Sequence, residues 1–93
     1  MKAIKVRLYG NSARIMGNSV VEFYHRGELT VRQVIEELVR RRPPLSQELF
    51  SEGNVNKRLI ILVNGRHIMF IQGLETKVKG GDVIDIIPTV AGG

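Results

Sequence analysis

The sequence contains no cysteine, and this absence restricts its chemistry in three ways. A chain without a thiol forms no disulfide, no thiolate metal site and no cysteine nucleophile. The only two histidines, His25 and His67, lie far apart in sequence and lack ligand-like spacing, so we predict no metal site. Tryptophan is absent, and so is the nucleophile-elbow motif of serine hydrolases. A Ser-His-Asp triad of another kind stays open at this point.

Long apolar runs are also missing. The run Leu59–Val63 is far shorter than the roughly 20 residues that a membrane-spanning helix needs. The first residues turn directly into an alternating strand pattern and do not resemble a signal peptide. We therefore expect a cytoplasmic protein with no membrane association, and 93 residues suit a single domain.

Positive charge exceeds negative charge, with 14 Lys and Arg residues against 9 Asp and Glu residues. The segment from Arg40 to Arg58 is notably basic, with the run Arg40-Arg41-Arg42 and the pair Lys57-Arg58. The arginine run suits the C-terminal end of a helix, where cations complement the helix dipole. No aromatic residues are interleaved with it, so nucleic acid is not the expected partner. A basic RNA-binding module remains a remote alternative.

The first third of the chain predicts two strands. Ala3–Tyr9 alternates apolar and polar residues, as a half-buried strand does. Gly10-Asn11-Ser12 predicts a loop, with a turn at Gly17-Asn18, and Ser19–Tyr24 predicts the second strand. A short loop between neighbouring strands indicates a hairpin.

The clearest element is a helix over 30–42. Its apolar residues recur at helical spacing and form one stripe: Val31, Val34, Ile35, Leu38 and Val39. Thr30 and Gln33 have the spacing of a capping box at its start. Pro43-Pro44 ends it, because proline lacks a backbone N–H and restricts the preceding residue.

The second half predicts short strands joined by turns. Leu59–Val63 is a β-branched apolar run that predicts a strand buried on both faces. Asn64-Gly65 predicts a type I′ turn, because both positions of that turn need positive φ. Before this strand we predict a helical turn in 45–53 and a mobile loop over 51–57. After the turn we predict a return strand at 66–69, a polar connection at Val78 and a turn at Gly80-Gly81. The last predicted strand is Val83–Ile87, which Pro88 ends.

This order of elements predicts an α+β fold, a β-grasp roll. We expect a mixed four- to five-stranded sheet with one main helix across one face. The N-terminal and C-terminal strands should lie side by side in its middle. Residues 1–88 would form the single domain, and residues 89–93 a flexible tail.

The sequence ends in Val90-Ala91-Gly92-Gly93. Glycine has no Cβ and reaches backbone conformations closed to other residues, so a Gly-Gly end is thin enough to enter a narrow channel. Its terminal carboxylate could then be placed beside a reagent. A carboxylate is ionised at neutral pH and is a poor electrophile, so this chemistry would need a better leaving group on the acyl carbon.

The C-terminal segment 79–93 resembles the ubiquitin-like sulfur carriers, and most closely the small subunit of molybdopterin synthase. There a Gly-Asp turn, an apolar strand and proline precede Val-Ala/Ser-Gly-Gly. Val63-Asn64-Gly65 and the helix start at Thr30 are also similar to that family. The chain departs from it at Ile86-Ile87-Pro88-Thr89, where the family commonly has an aromatic residue and paired prolines, and in the basic segment from Arg40 to Arg58.

The resemblance implies that Gly93 is the reacting residue. An activating enzyme of the E1 type would adenylate it with ATP and Mg²⁺, and a sulfurtransferase would supply the sulfur of a C-terminal thiocarboxylate. The large subunit of molybdopterin synthase would accept that sulfur, with Val90, Ala91 and Gly92 extended in its channel. The chain itself would supply no catalytic side chain and bind no cofactor.

A partner surface is predicted on the sheet face that the helix leaves uncovered. It would present Ile60, Leu62 and Ile87, with Phe70 from a neighbouring loop, because an exposed apolar patch often marks an interface. A loop folded over this face is the alternative, and the sequence leaves open which alternating set faces outward. A ubiquitin-like protein modifier and a sulfur carrier for tRNA or thiamine also remain open, as do the organism and the oligomeric state.

Overall fold

A five-stranded mixed sheet forms the centre of the computed structural model, which describes residues 1–89. Its strands are β1 (Ile4–Leu8), β2 (Val20–Phe23), β6 (Leu59–Val63), β7 (Arg66–His67) and β9 (Val83–Pro88), in the spatial order β2-β1-β9-β6-β7. The other elements are α1 (Gly10–Met16), β3 (Leu29–Thr30), α2 (Val31–Arg41), α3 (Ser46–Leu49), β4 (Phe50–Ser51), β5 (Asn54–Val55) and β8 (Lys77–Val78), with 3₁₀ turns at Pro43–Leu45, Ile68–Phe70 and Gly73–Glu75.

Strand β9 is the central strand of this sheet. It pairs parallel to β1, with Val6 opposite Ile84, and antiparallel to β6, with Ile60 opposite Ile87. The predicted side-by-side pairing of the first and last strands is therefore confirmed, and so are the α+β class and the β-grasp arrangement. The C-terminal segment consequently starts from the strand with a neighbour on each side.

Helix α2 packs its apolar stripe into the core on one side of the sheet. Val31, Val34, Ile35 and Leu38 are fully buried with alternate residues of β1 and β9, and Val39 is partly buried. The predicted capping box is present: the Gln33 N–H donates to Thr30 Oγ1 at 3.1 Å, and the Thr30 N–H donates to Gln33 Oε1 at 2.8 Å. The helix ends before Pro43, as predicted.

The Asn64-Gly65 turn joins β6 to β7 with both residues at positive φ, 51° and 85°, as predicted. The Asn64 side chain reaches beyond its own hairpin. Its Oδ1 accepts from the Val83 N–H at 2.9 Å, and its Nδ2 donates to Asp82 Oδ1 at 3.0 Å. Two sequence motifs far apart in the chain therefore form one junction at the start of β9.

The connection between β1 and β2 corrects one prediction. Residues 10–16 form helix α1, where a short loop was expected. Ala13, Ile15 and Met16 pack against the core, and this tertiary burial outweighs the weak local preference of Gly10-Asn11-Ser12. Gly17 then ends the helix in the left-handed region, with φ at 85°.

The middle of the chain corrects three more predictions. Residues 50–55 form a β4–β5 hairpin in place of the expected mobile loop, because Glu52 and Gly53 supply a turn with two positive φ values and Val55 is buried. The return strand stops at His67, where a 3₁₀ turn begins. Val78 lies in β8, which pairs with β3.

Burial of β6 also differs from the prediction. Leu59, Ile61 and Val63 are buried, whereas Ile60 and Leu62 are only partly buried. The reason is that only one face of the sheet lies against α2.

The predicted short helical turn within 45–53 is present as α3.

Gly80 allows the turn before β9 to lie directly against the start of β1. A Cβ at this position would stand 2.3 Å from the Lys2 carbonyl oxygen, closer than real Cβ contacts. The next residue, Gly81, has φ at 98° and donates its N–H to the Ala3 carbonyl at 2.9 Å. The Gly-Gly turn therefore fixes where β9 begins to pair with β1.

Gly80→Ala is expected to destabilise the domain by about 1–3 kcal/mol, because backbone atoms of Lys2 must move away from the new methyl group. Urea unfolding measures this change. Gly27→Ala is the control for backbone strain without close approach, because Gly27 has positive φ but no atom within 4 Å of its Cβ position, and it should lose about 1 kcal/mol. Gly80 lacks positive φ, so an unchanged stability of Gly80→Ala would show that close approach at Gly80 does not matter.

Candidate functional site

The C-terminal segment leaves the sheet at Pro88 and Thr89. Pro88 lies opposite Leu59 on β6, and the Thr89 hydroxyl donates to the Arg58 carbonyl oxygen at 2.5 Å. A cleft of about 150 Å³ lies beside these residues, between α3 and the start of β6. The predicted reacting residue Gly93 and the predicted channel residues Val90, Ala91 and Gly92 lie outside the described residues.

Among residues 1–89, no helix covers the sheet face opposite α2. One row of cross-strand partners crosses all five strands on this face: Val20, Arg7, Asp85, Leu62 and His67, in that order. Lys5, Ile60 and Ile87 extend the same face along their strands. We call this surface the open face. It starts at edge strand β2 and ends at edge strand β7.

The four residues of the predicted partner surface lie at the β6–β9 side of the open face. Ile60 is paired with Ile87, both are partly buried, and Leu62 is the next outward residue on β6. Phe70 is 67% exposed and its ring contacts His67 edge-on, with 6.3 Å between ring centroids. The structure thus brings them to one side of the sheet, and their role in binding stays a prediction.

The centre of the open face is polar. Asp85 on β9 is only 4% exposed, yet its carboxylate has three donors. Arg7 Nε lies 2.6 Å from Oδ1 and Arg7 Nη2 lies 2.9 Å from Oδ2, while the Tyr9 hydroxyl donates to Oδ1 at 2.6 Å. We call these three residues the Arg7–Asp85–Tyr9 network. A buried carboxylate is costly unless it is paired in this way.

The network changes the acid–base properties of its members. Hydrogen bonds from Arg7 lower the pKa of Asp85 below its ordinary value, although burial acts in the opposite direction. The bond to Asp85 raises the pKa of Tyr9. Asp85 therefore stays ionised and Tyr9 stays protonated at neutral pH, so the three hydrogen bonds persist across the physiological range.

Sequence reasoning missed this network. The sequence places Arg7 only on the polar side of the alternating strand Ala3–Tyr9. It places Asp85 only within segment 79–93, which resembles the sulfur carriers. One signal was available: an Asp inside the apolar run of β9 must be buried in a central strand, and a buried carboxylate needs a cation on a neighbouring strand. Arg7 is the polar residue that parallel β1–β9 pairing places opposite it.

The arginine run at the end of α2 is engaged within the molecule. Arg40 and Arg41 pair with Glu37 at 2.6 and 3.1 Å. The Arg41 guanidinium also lies 4.2 Å from the centroid of the Phe23 ring, and Arg42 donates to the Met16 carbonyl at 3.2 Å. These contacts favour a structural role at the helix end over the phosphate contacts of an RNA-binding module.

Within residues 1–89, no three His, Asp or Glu side chains come together as metal ligands. No helix among the same residues has the length and apolar character to cross a bilayer.

A central C-terminal strand, one helix across one sheet face and an open opposite face define a ubiquitin-like β-grasp protein. The model of the ThiS family matches residues 6–93. The chain therefore belongs to the ThiS family of ubiquitin-like sulfur carriers.

The names of similar proteins indicate different roles. A putative sulfur carrier protein from Archaeoglobus fulgidus is 42% identical over 67 residues, which are 71% of this chain and 76% of that protein. Small archaeal modifier protein 1 from Methanosarcina acetivorans superposes with a TM-score of 0.85 at 30% identity, covering 100% of this chain and 98% of that one. A putative molybdopterin converting factor subunit 1 from Pyrococcus furiosus has a TM-score of 0.75 at 27% identity, covering 97% and 100%.

The lowered pKa of Asp85 predicts how stability depends on pH. A carboxylate with a depressed pKa stabilises the fold above its unfolded-state pKa and loses that contribution as pH falls through its folded-state pKa. The free energy of unfolding should therefore fall as pH drops below the ordinary Asp value of 3.8.

Asp85→Asn is the variant that tests this pH dependence. It should unfold about 1–3 kcal/mol more easily at pH 7, because Arg7 loses its ionic partner. Its stability should then fall less steeply than that of the wild type below pH 4. Urea titrations at several pH values measure both effects. Glu37→Gln is the comparison, because Glu37 is also a carboxylate with a lowered pKa, of about 2. A wild-type slope retained in Asp85→Asn would contradict the assignment.

Proposed function

We propose that this chain carries sulfur on the carboxylate of Gly93 and donates it in the synthesis of molybdopterin, as the small subunit of a synthase. The observation that carries the proposal is the position of β9. The central strand of the sheet leads through Pro88 and Thr89 directly into Val90-Ala91-Gly92-Gly93. Membership of the ThiS family supports a carrier role, and the similarity to a molybdopterin converting factor subunit supports the acceptor.

The chemistry starts with activation by a partner enzyme. The Gly93 carboxylate attacks the α-phosphate of ATP, pyrophosphate leaves, and an acyl adenylate forms. A persulfide of a sulfurtransferase then attacks the acyl carbon and releases AMP. A thiol finally attacks the donor sulfur of the resulting S–S bond. A disulfide forms between that thiol and the donor, and a thiocarboxylate remains on Gly93. ATP and Mg²⁺ belong to the activating enzyme, and this chain supplies the reacting end.

The scaffold contributes position in this proposal. The Thr89–Arg58 hydrogen bond holds the root of the C-terminal segment beside the start of β6. The open face offers an apolar area next to it, in which Ile60, Leu62 and Ile87 are partly covered and Phe70 is exposed. A partner that covers these residues would align its channel with the tail.

Intact-mass analysis after co-expression with an E1-type activating enzyme tests the first step. The expected result is a chain heavier by the replacement of one oxygen by sulfur, and fragmentation should place the change at Gly93. Deletion of Gly92-Gly93 should abolish it. Gly92→Val should reduce it strongly while the melting temperature stays unchanged, because a branched side chain obstructs a narrow channel. A wild-type chain that never gains sulfur would contradict the proposal.

A second candidate function is conjugation to lysines of other proteins. The observation that favours it is the similarity to the Methanosarcina modifier over the whole chain. The same adenylate would then react with a lysine amine and release AMP, and cleavage after Lys79 would leave residues 80–93 on the modified lysine. Sulfur delivery to tRNA or thiamine would use the same thiocarboxylate.

Reconstitution separates these acceptors. The thiocarboxylated chain, mixed with a molybdopterin synthase large subunit and the pterin precursor, is expected to form the dithiolene in single turnover and to return to the carboxylate mass. The unmodified chain is the control and should form none. Remnants of residues 80–93 on cellular lysines, combined with no dithiolene in this assay, would favour the modifier role instead.

A further inference from the structure

The Arg7–Asp85–Tyr9 network leaves one side of the Arg7 guanidinium available on the open face. A guanidinium has five N–H donors. Two of them, on Nε and Nη2, point at Asp85. No acceptor within residues 1–89 engages the others, and the Arg7 side chain is 51% exposed. The second fork of the guanidinium, formed by its two Nη atoms, is therefore free for an external group.

Arg7 is also fixed in position, which is unusual for an exposed arginine. Two parallel hydrogen bonds hold its plane against the carboxylate of the central strand, and Tyr9 holds the same carboxylate from a further direction. The conformational entropy that an arginine loses on binding is thus already lost in the free protein. Such preorganisation makes a cation a more selective contact than a mobile lysine.

The surroundings of Arg7 specify what can cover it. Val20 lies beside it on one side of the row, and Leu62 lies beyond Asp85 on the other. A partner that buries this apolar area also removes water from the free N–H groups of Arg7, which costs free energy unless an acceptor replaces the water. A planar carboxylate matches the free fork with two parallel bonds. The net charge of +5 also attracts acidic surfaces.

We propose that Arg7, held by Asp85 and Tyr9, is a specificity-determining residue that selects a protein partner with an Asp or Glu carboxylate set within an apolar docking surface. This inference rests on the proposed function, in which an activating enzyme adenylates Gly93, and it assigns the docking of that enzyme to the open face. Arg7 touches no reacting atom and acts in recognition. Its effect therefore falls on the binding of the chain and leaves the chemical step unchanged.

The test uses Arg7→Leu combined with Asp85→Leu. The double change removes the cation without leaving a buried carboxylate unpaired, and apolar replacement of a buried pair is often neutral for stability. Arg32→Leu combined with Glu75→Leu is the matched control. Arg32 on α2 and Glu75 form an ion pair at 2.9 Å away from the open face, and this pair also loses one charge of each sign. Thermal unfolding of both variants verifies that the fold is retained.

Binding to the purified activating enzyme of the same organism is measured by calorimetry without ATP, and AMP transfer to the tail is measured with ATP. The Arg7/Asp85 variant should bind about tenfold more weakly and show a similar rise in KM at unchanged kcat. The Arg32/Glu75 control should stay within about twofold, since this exposed ion pair lies outside the docking surface and contributes little. Changing the acidic residues of the enzyme one at a time to amides should reveal one change that weakens the wild type but not the Arg7/Asp85 variant.

The outcomes separate this inference from the proposed function. The inference is overturned if the two double variants bind equally, or if no enzyme carboxylate couples to Arg7. The proposed function still stands in either case, provided that the wild type is adenylated. A wild-type chain that is not adenylated overturns the proposed function, and the inference with it.

Discussion

The parallel pairing of β1 with β9 is the constraint on which the other features depend. It places the last strand between β1 and β6, so that the strand leading to the C-terminus has a neighbour on both sides. The pairing needs a close approach at its start, where Gly80 lies against Lys2, and a side-chain junction from Asn64 to Asp82 and Val83. At its other end, Thr89 is tied to Arg58. Both ends of β9 are thereby fixed.

The two faces of this sheet have different tasks. One face packs against α2 and contributes to the core, where a charged residue would be destabilising. The other face tolerates Asp85 because Arg7 and Tyr9 complete its hydrogen bonds. A polar centre with apolar residues around it is a stringent recognition surface, because a partner must match its hydrogen bonds as well as its shape. Family membership supports the carrier chemistry, and the polar centre follows from the contacts of Arg7, Asp85 and Tyr9.

Local signals in the sequence predicted the elements that local physics decides. The α2 stripe, its Thr30–Gln33 cap and the Asn64-Gly65 turn each follow from spacing and backbone preference, and all three are present. Helix α1 and the β4–β5 hairpin were missed because Gly10-Asn11-Ser12 and Glu52-Gly53 are weak local signals that burial of neighbouring residues outweighs. The Arg7–Asp85 contact joins residues 78 positions apart, so it becomes visible only once the strand order is known.

The central place of β9 also has a consequence for how the protein is made. Among residues 1–89 every other strand precedes it, and its two neighbours, β1 and β6, cannot be bridged until it emerges from the ribosome. Non-local pairing of this kind slows folding. A chain whose translation stops before β9 lacks the middle of its own sheet and exposes unpaired edges of β1 and β6, which favours aggregation. The complete five-stranded sheet thus forms only in molecules that have been translated through β9.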